Sequence, residues 1–312
     1  MSLRKSGTHL IRELVLHLGY SLYGEVFAAP EERPVLSRED VWRLLRRVYP
    51  PQELTALTSS EDKSAVSEAM KLAVAAMNEV WRARLGVPWT GGLAISPAVR
   101  QLAADVRLRA TELPYSDLPK DSCWIVHQLP LNQVAPDFLW EWARTGSPRI
   151  ILNFRDPRDV LVSMVRFLSG GPKSGIGGFV DHQMYSAILR DAGSLEERLT
   201  IALQDSDFPG ATAFADAAWL LRHPNVWPVS FEDLVGPEGG GSAERQVAAI
   251  QGITDFLEAD ADPETVARQL YNPGSFTFRA GRTGSWREHF TSQHVELFEA
   301  RYGSLLDLYG YS

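Results

Sequence analysis

From Leu10 onward, apolar residues fall at Leu10, Ile11, Leu14, Val15 and Leu18. That i, i+1, i+4, i+5, i+8 stripe is the buried side of a helix, and Gly19 stops it. Residues 4 to 8, Arg-Lys-Ser-Gly-Thr, therefore form a loop running into a helix N-terminus. A second helix is announced by Ser37 with Asp40 three residues later, carries Val41, Trp42, Leu44, Leu45 and Val48, and ends before Pro50. A third, longer one puts Val66, Met70, Val74, Met77, Trp81 and Leu85 on one side and ends near Gly86. The stretch from about 20 to 110 is predicted to be mostly helical.

Beyond it the pattern changes to short apolar runs, each followed by helix signals: Cys123-Trp124-Ile125-Val126, Ile150-Ile151-Leu152-Asn153-Phe154 and Val226-Trp227-Pro228-Val229. Buried runs alternating with helices predict an α/β fold with a central parallel sheet. Pro228 assigns its run to an edge or a strand end, because proline has no N–H for a ladder. Residues 237 to 242, Pro-Glu-Gly-Gly-Gly-Ser, lie just past a strand and contain no Gly-Lys-Ser or Gly-Lys-Thr, so they read as a flexible solvent loop.

Composition narrows the class. Of 312 residues 45% are hydrophobic and nine are Trp, enough apolar surface for a large core and too much for a disordered chain. The length fits one domain over 1–312, with 20–110 as a helical insertion. A formal net charge of −8 argues against a nucleic-acid-coating surface. The lone Cys123 cannot form an internal disulfide, which points to a reducing cytosol. No run reaches the ~18–20 apolar residues of a membrane span, and Arg12 and Glu13 interrupt the first apolar stretch, so no secretory leader is read there. The expected compartment is the cytoplasm.

Four segments could carry chemistry. Lys5-Ser6-Gly7-Thr8-His9 offers unpaired N–H groups and a positive dipole end to an anion, with two hydroxyls and a full charge added. Here Lys precedes the only Gly, the reverse of the Walker order, so an ATPase reading fails. In Asn153 to Ser163, Asp156 caps a helix with Pro157 at its first position. Arg155 then sits at a strand-to-helix corner, where open α/β sheets bind ligands, and Ser163 lies about two turns on. The alternative for Arg155 is a surface pair with Asp156 or Asp159. Phe278 to Arg287 holds two glycines, three arginines and a Trp, a loop able to close over an anion. His127 follows a strand at the same sheet edge as Arg155. No His has a partner at metal-ligand spacing.

Taken in order, these segments resemble the cytosolic family of sulfotransferases that use 3′-phosphoadenosine 5′-phosphosulfate (PAPS). Lys5-Ser6-Gly7-Thr8 matches the family's Pro-Lys-Ser-Gly-Thr loop for the 5′-phosphosulfate, and Arg155 through Ser163 its Arg-x-x-x-Asp-x-x-x-Ser segment for the 3′-phosphate. Phe231-Glu232-Asp233-Leu234 resembles its Tyr-Glu-Asp-Leu step. Arg279-x-Gly281-x-x-Gly284-x-Trp286 resembles its C-terminal Arg-Lys-Gly-x-x-Gly-x-Trp loop. His127-Gln128-Leu129-Pro130 looks like the His-Leu-Pro of the catalytic base. The chain departs from the pattern at Arg4 (for Pro), Leu10 (for Trp), Phe231 (for Tyr), Ala280 (for Lys) and Ile125 (for a Lys two residues before the base).

The resemblance implies a P-loop-like sulfotransferase fold and transfer of a sulfuryl group from PAPS to a hydroxyl or amine of a small-molecule acceptor, with no metal. It implies catalytic His127 and Lys5, and a donor site of Lys5, Ser6, Gly7, Thr8, His9, Arg155, Ser163, Phe231, Arg279, Ala280 and Gly281. The 20–110 stretch would shape the acceptor pocket, and the glycine-rich segment 169–182 would be a decoy for the phosphate loop or a lid over the acceptor. Two rivals stand beside this reading: a P-loop small-molecule kinase, which would need a Walker Lys and a Mg²⁺-holding Asp, and a non-catalytic nucleotide-binding module, which Ile125 and Ala280 would suit. No motif encodes the acceptor or the oligomeric state.

Overall fold

The computed structural model describes residues 1–24, 28–87, 96–109, 114–115, 118–170, 180–210, 212–271 and 282–311. The element order begins α1 (Thr8–His17), β1 (Ser21–Leu22), α2 (Arg38–Val48), α3 (Pro51–Thr58), α4 (Lys63–Arg84), α5 (Pro97–Arg109), β2 (Ser122–Cys123) and α6 (Pro136–Thr145). It continues with β3 (Ile150–Phe154), α7 (Pro157–Ser169), α8 (Val180–Asp191), α9 (Leu195–Gln204), α10 (Thr212–Ala217) and β4 (Val226–Ser230). Last come α11 (Phe231–Leu234), α12 (Ala243–Leu257), α13 (Pro263–Leu270) and α14 (Ser292–Tyr309). The protein is α/β, mostly helical with small parallel sheets, and its chain divides into two compact units.

The first unit comprises Met1–Gly19, Ile125–Leu131 and Arg149–Ser312. β3 pairs parallel with β4, from Ile150 opposite Val226 to Phe154 opposite Ser230. On the other side of β3 the segment Met1–Leu3 takes a strand's place: Asn153 N–H donates to Met1 O (2.9 Å) and Leu3 N–H to Asn153 O (3.0 Å). Ser2 N–H donates outward to Val126 O (2.9 Å), so Val126, Met1–Leu3, β3 and β4 stand side by side. All five β3 residues are buried, as expected of a strand covered on both faces. At the edge formed by β4, Val226 gives its N–H to His223 O and Pro228 has none to give, which blunts the edge against a further strand.

Nine of the thirteen residues of α7 are buried, because it packs on α8, α9 and α14. Val165, Leu168, Leu189, Leu199 and Phe208 are each completely covered in this core. α1 buries Leu10, Ile11, Leu14 and Val15, the stripe that its spacing predicts. The segment 237–242, expected to be a solvent loop, instead starts as a one-turn 3-10 helix (Pro237–Gly239) with Gly239 buried. The reason is tertiary, since Gly239 O accepts the N–H of Thr283 (3.1 Å) from a distant loop.

The second unit comprises Tyr20–Trp124 and Asn132–Pro148. β1 and β2 pair parallel over two residues, Ser21 with Ser122 and Leu22 with Cys123, so only the start of the predicted Cys123–Val126 run joins this ladder. Ser37 and Asp40 form the predicted capping box of α2. α4 runs further than its neighbours and ends before Gly86, whose φ of 72° is left-handed. Its buried face centres on Ala69, Ala73, Ala76, Met77, Val80 and Trp81, whereas the predicted Val66, Met70 and Val74 are half-buried. Packing of α4 against both α2 and α5 turns this small-residue face inward. Arg84 closes the helix end with charge-assisted bonds to Asp137 (2.8 Å) and Glu141 (2.7 Å) of α6.

Candidate active site

The loop ahead of α1 has an unusual backbone. Lys5 (φ 65°) and Gly7 (φ 87°) both take left-handed conformations, and Ser6 N–H turns back to Leu3 O (3.1 Å). Only glycine suits position 7, because a Cβ there would come within 2.6 Å of the Phe231 ring. Gly7 is the N-cap of α1, no side chain caps the helix, and its first turn carries no acidic residue. The positive end of the helix dipole is therefore left uncompensated by the helix itself. Beside it the Ser6 hydroxyl is fully buried and, among the described residues, has no hydrogen-bond partner.

Asn153 fastens this loop to the sheet. Its side-chain N–H₂ donates to Ser6 O (2.7 Å) and to the Ser2 hydroxyl (3.0 Å), and the Ser2 hydroxyl meets that of Thr8 at 3.2 Å. Sequence reading missed Asn153; the signal available was one amide in an otherwise apolar buried strand. The Lys5 ammonium lies 4.0 Å from the centre of the Phe167 ring on α7. Ser163 is half-buried one turn before Phe167, on the same side of that helix.

Arg155 stands at the corner between β3 and α7. Asp156 caps α7 through the N–H of Arg158, with Pro157 in the first helical position as predicted. The Arg155 guanidinium is buried, 4.6 Å from the Phe231 ring centre. One of its terminal nitrogens donates to Arg282 O (2.6 Å) and lies 3.4 Å from Asp159. The local pair with Asp159 thus exists, but buried rather than on the surface. Arg155 Nε has no hydrogen-bond partner among the described residues. Phe231 therefore touches both the loop glycine and the corner arginine. Glu232 next to it accepts the Asp156 N–H (3.2 Å) and the Tyr311 hydroxyl (2.7 Å), and burial raises its carboxyl above the usual range.

The C-terminal loop is tied to the same corner. Asp159 is fully buried and accepts from Gly284 N–H (2.8 Å), Ser285 hydroxyl (2.9 Å) and Trp286 N–H (2.8 Å). Trp286 donates its indole N–H to Asp156 (3.1 Å) and stacks on Arg158 at 4.1 Å. Arg279, Ala280 and Gly281 lie outside the described residues, as does 171–179 of the glycine-rich segment.

The electrostatic effect of this gathering is read on His9, in the first turn of α1. Burial first, then the positive fields of Lys5 and Arg155, lower its pKa from 6.5 to about 4. His127 is exposed, and its Nδ1 lies 2.9 Å from Ser2 O. A carbonyl oxygen only accepts, so Nδ1 is the donor of this bond.

Lys5, Ser6, Gly7, Thr8, His9, Arg155, Phe231 and His127 thus all belong to the first unit, around the ends of Met1–Leu3 and β3. Two cationic side chains, a helix N-terminus and an imidazole are thus gathered within one unit.

Among curated proteins, the chain is 28% identical over 176 residues to sulfotransferase 6B1 of Danio rerio. The resemblance is to a sulfotransferase. The alignment takes in 52% of this chain and 53% of that protein, so the chain spans about half the length of the curated relative it matches. No protein-family model matches the chain. Two solved structures are also similar. One is retinol dehydratase in complex with androsterone and the inactive cofactor PAP (TM-score 0.47, 16% identity, 98% of this chain and 79% of that one). The other is mouse sulfotransferase SULT7A1 complexed with PAP (TM-score 0.44, 16% identity, 74% and 80%). Among the described residues no helix is long and apolar enough to cross a membrane, and no three His, Cys, Asp or Glu side chains group as metal ligands would.

Proposed function

We propose that this protein is a PAPS-dependent sulfotransferase that moves a sulfuryl group to the hydroxyl or amine of a small-molecule acceptor, in a P-loop-like fold. One observation carries the reading: an uncapped helix N-terminus with a buried Ser6 hydroxyl that has no partner among the described residues, flanked by Lys5 and Arg155. Unsatisfied buried donors beside two cations are costly unless an anion completes them. The match to a curated sulfotransferase supports reading that anion as a sulfuryl donor.

PAPS supplies a sulfuryl group already bonded to a good leaving phosphate. Lys5, the Ser6 and Thr8 hydroxyls and the N–H groups of the α1 end hold the 5′ side and neutralise charge that develops there. Arg155 and Ser163 hold the 3′-phosphate, and this is mainly positioning. Phe231 keeps the loop and Arg155 in fixed relation. His127 Nε2 takes the acceptor's proton, with the tautomer set by the bond from Nδ1 to Ser2 O.

Calorimetric titration with adenosine 3′,5′-bisphosphate, compared with ATP plus Mg²⁺, tests the donor. Tighter binding of ATP would favour a kinase and defeat the proposal. Transfer of labelled sulfate from PAPS to a panel of phenols, alcohols, sugars and amines tests the reaction. Nucleotide binding with no transfer to any of these would leave a non-catalytic module.

A further inference from the structure

The carboxylate of Asp159 stands beside a site built for anions, where its charge would by itself repel a phosphate. It is wholly buried, and both its oxygens are spent on three donors of one distant loop, Gly284, Ser285 and Trp286. Four residues earlier, Arg155 reaches the same loop at Arg282 O. The corner and the loop are therefore joined at two points by groups of opposite charge that also face each other at 3.4 Å. One terminal nitrogen of Arg155 is consumed in this way. Its Nε is left buried and without a partner among the described residues.

We propose that Asp159 is a positioning residue for the donor's 3′-phosphate: it fastens the 284–286 loop and turns the Arg155 guanidinium so that Nε is the edge offered to the phosphate. This rests on the sulfotransferase reading, in which Arg155 meets that phosphate. Asp159 makes no contact with the anion. Its negative charge is absorbed by the loop's N–H and O–H groups, each a charge-assisted bond, and its function is to fix the angle of the group that does bind. A purely structural clasp would instead weaken every ligand alike.

The test compares adenosine 3′,5′-bisphosphate with adenosine 5′-monophosphate by calorimetry on the full chain. The ratio of their affinities reads the 3′-phosphate alone. In Asp159→Asn, bisphosphate affinity is expected to fall roughly 10- to 100-fold, the scale of a lost charged hydrogen bond, while the monophosphate changes less than about threefold, so the ratio collapses. Ser285→Ala keeps the carboxylate and removes one of its three donors; it is expected to lose part of the ratio, and it carries the test if Asp159→Asn does not fold. An unchanged ratio in the folded variants, or an equal loss for both nucleotides, would overturn the positioning role. A wild-type protein that does not prefer the bisphosphate would overturn the sulfotransferase reading itself, and this proposal with it.

Discussion

The Phe231 ring fills the space that a side chain at position 7 would need, its Cδ2 lying 2.6 Å from where a Gly7 Cβ would be. Gly7 is doubly constrained, since its φ of 87° is also the left-handed region that L side chains avoid. Gly7→Ala is expected to cost about 1–2 kcal/mol for the backbone, with displacement of Phe231 added to it. Affinity for adenosine 3′,5′-bisphosphate should drop at least about tenfold, the equivalent of about 1.4 kcal/mol. Urea denaturation and calorimetry measure the two losses, and retention of both stability and affinity would contradict this account of the loop.

His127 is tied to the backbone through Nδ1, which makes Nε2 the proposed base. In His127→Ala, kcat for sulfuryl transfer should fall about 10²- to 10⁴-fold, while affinity for the bisphosphate stays near wild type. Undiminished turnover would remove His127 from the base role.

His9 gives a pH dependence with a definite sign. Folding holds its imidazole neutral down to about pH 4, whereas the unfolded imidazole takes a proton near 6.5. Between these values the unfolded state binds more protons, so stability falls as pH drops from about 6.5 towards 4. Relative to His9→Gln, the wild type should lose on the order of 2 kcal/mol across that window, after allowance for partial exposure. Added adenosine 3′,5′-bisphosphate should reduce the loss, because a bound anion offsets Lys5 and Arg155. Parallel stability curves for the two proteins would show that His9 does not sense Lys5 and Arg155.

In the second unit, the Glu141 side chain is only 11% exposed and accepts from both Arg84 and the Tyr115 N–H (2.7 Å). Arg84→Met strands that carboxylate without its cation, which should destabilise the protein by about 3–5 kcal/mol. The loss should be visible as a lower urea midpoint. A midpoint within error of wild type would mean that Glu141 rehydrates freely.

The helix α1, the capping box at Ser37, the Asp156–Pro157 start of α7, the stop at Gly86, β3 and the edge position of Pro228 were all legible in the amino-acid order. Each depends on residues within a few positions of one another, so local sterics and hydrogen bonding decide them. The motifs Lys5–Thr8, Arg155–Ser163 and Phe231–Leu234 were legible for the same reason, as short strings. Tertiary structure alone decided that Phe231 packs on Gly7, that Asn153 holds the loop ahead of α1, that Gly239 is buried under Thr283, and that Asp159 serves a loop more than a hundred residues away. These contacts are set by how buried strands and helices stack against one another, and no neighbouring residue in the chain records that arrangement.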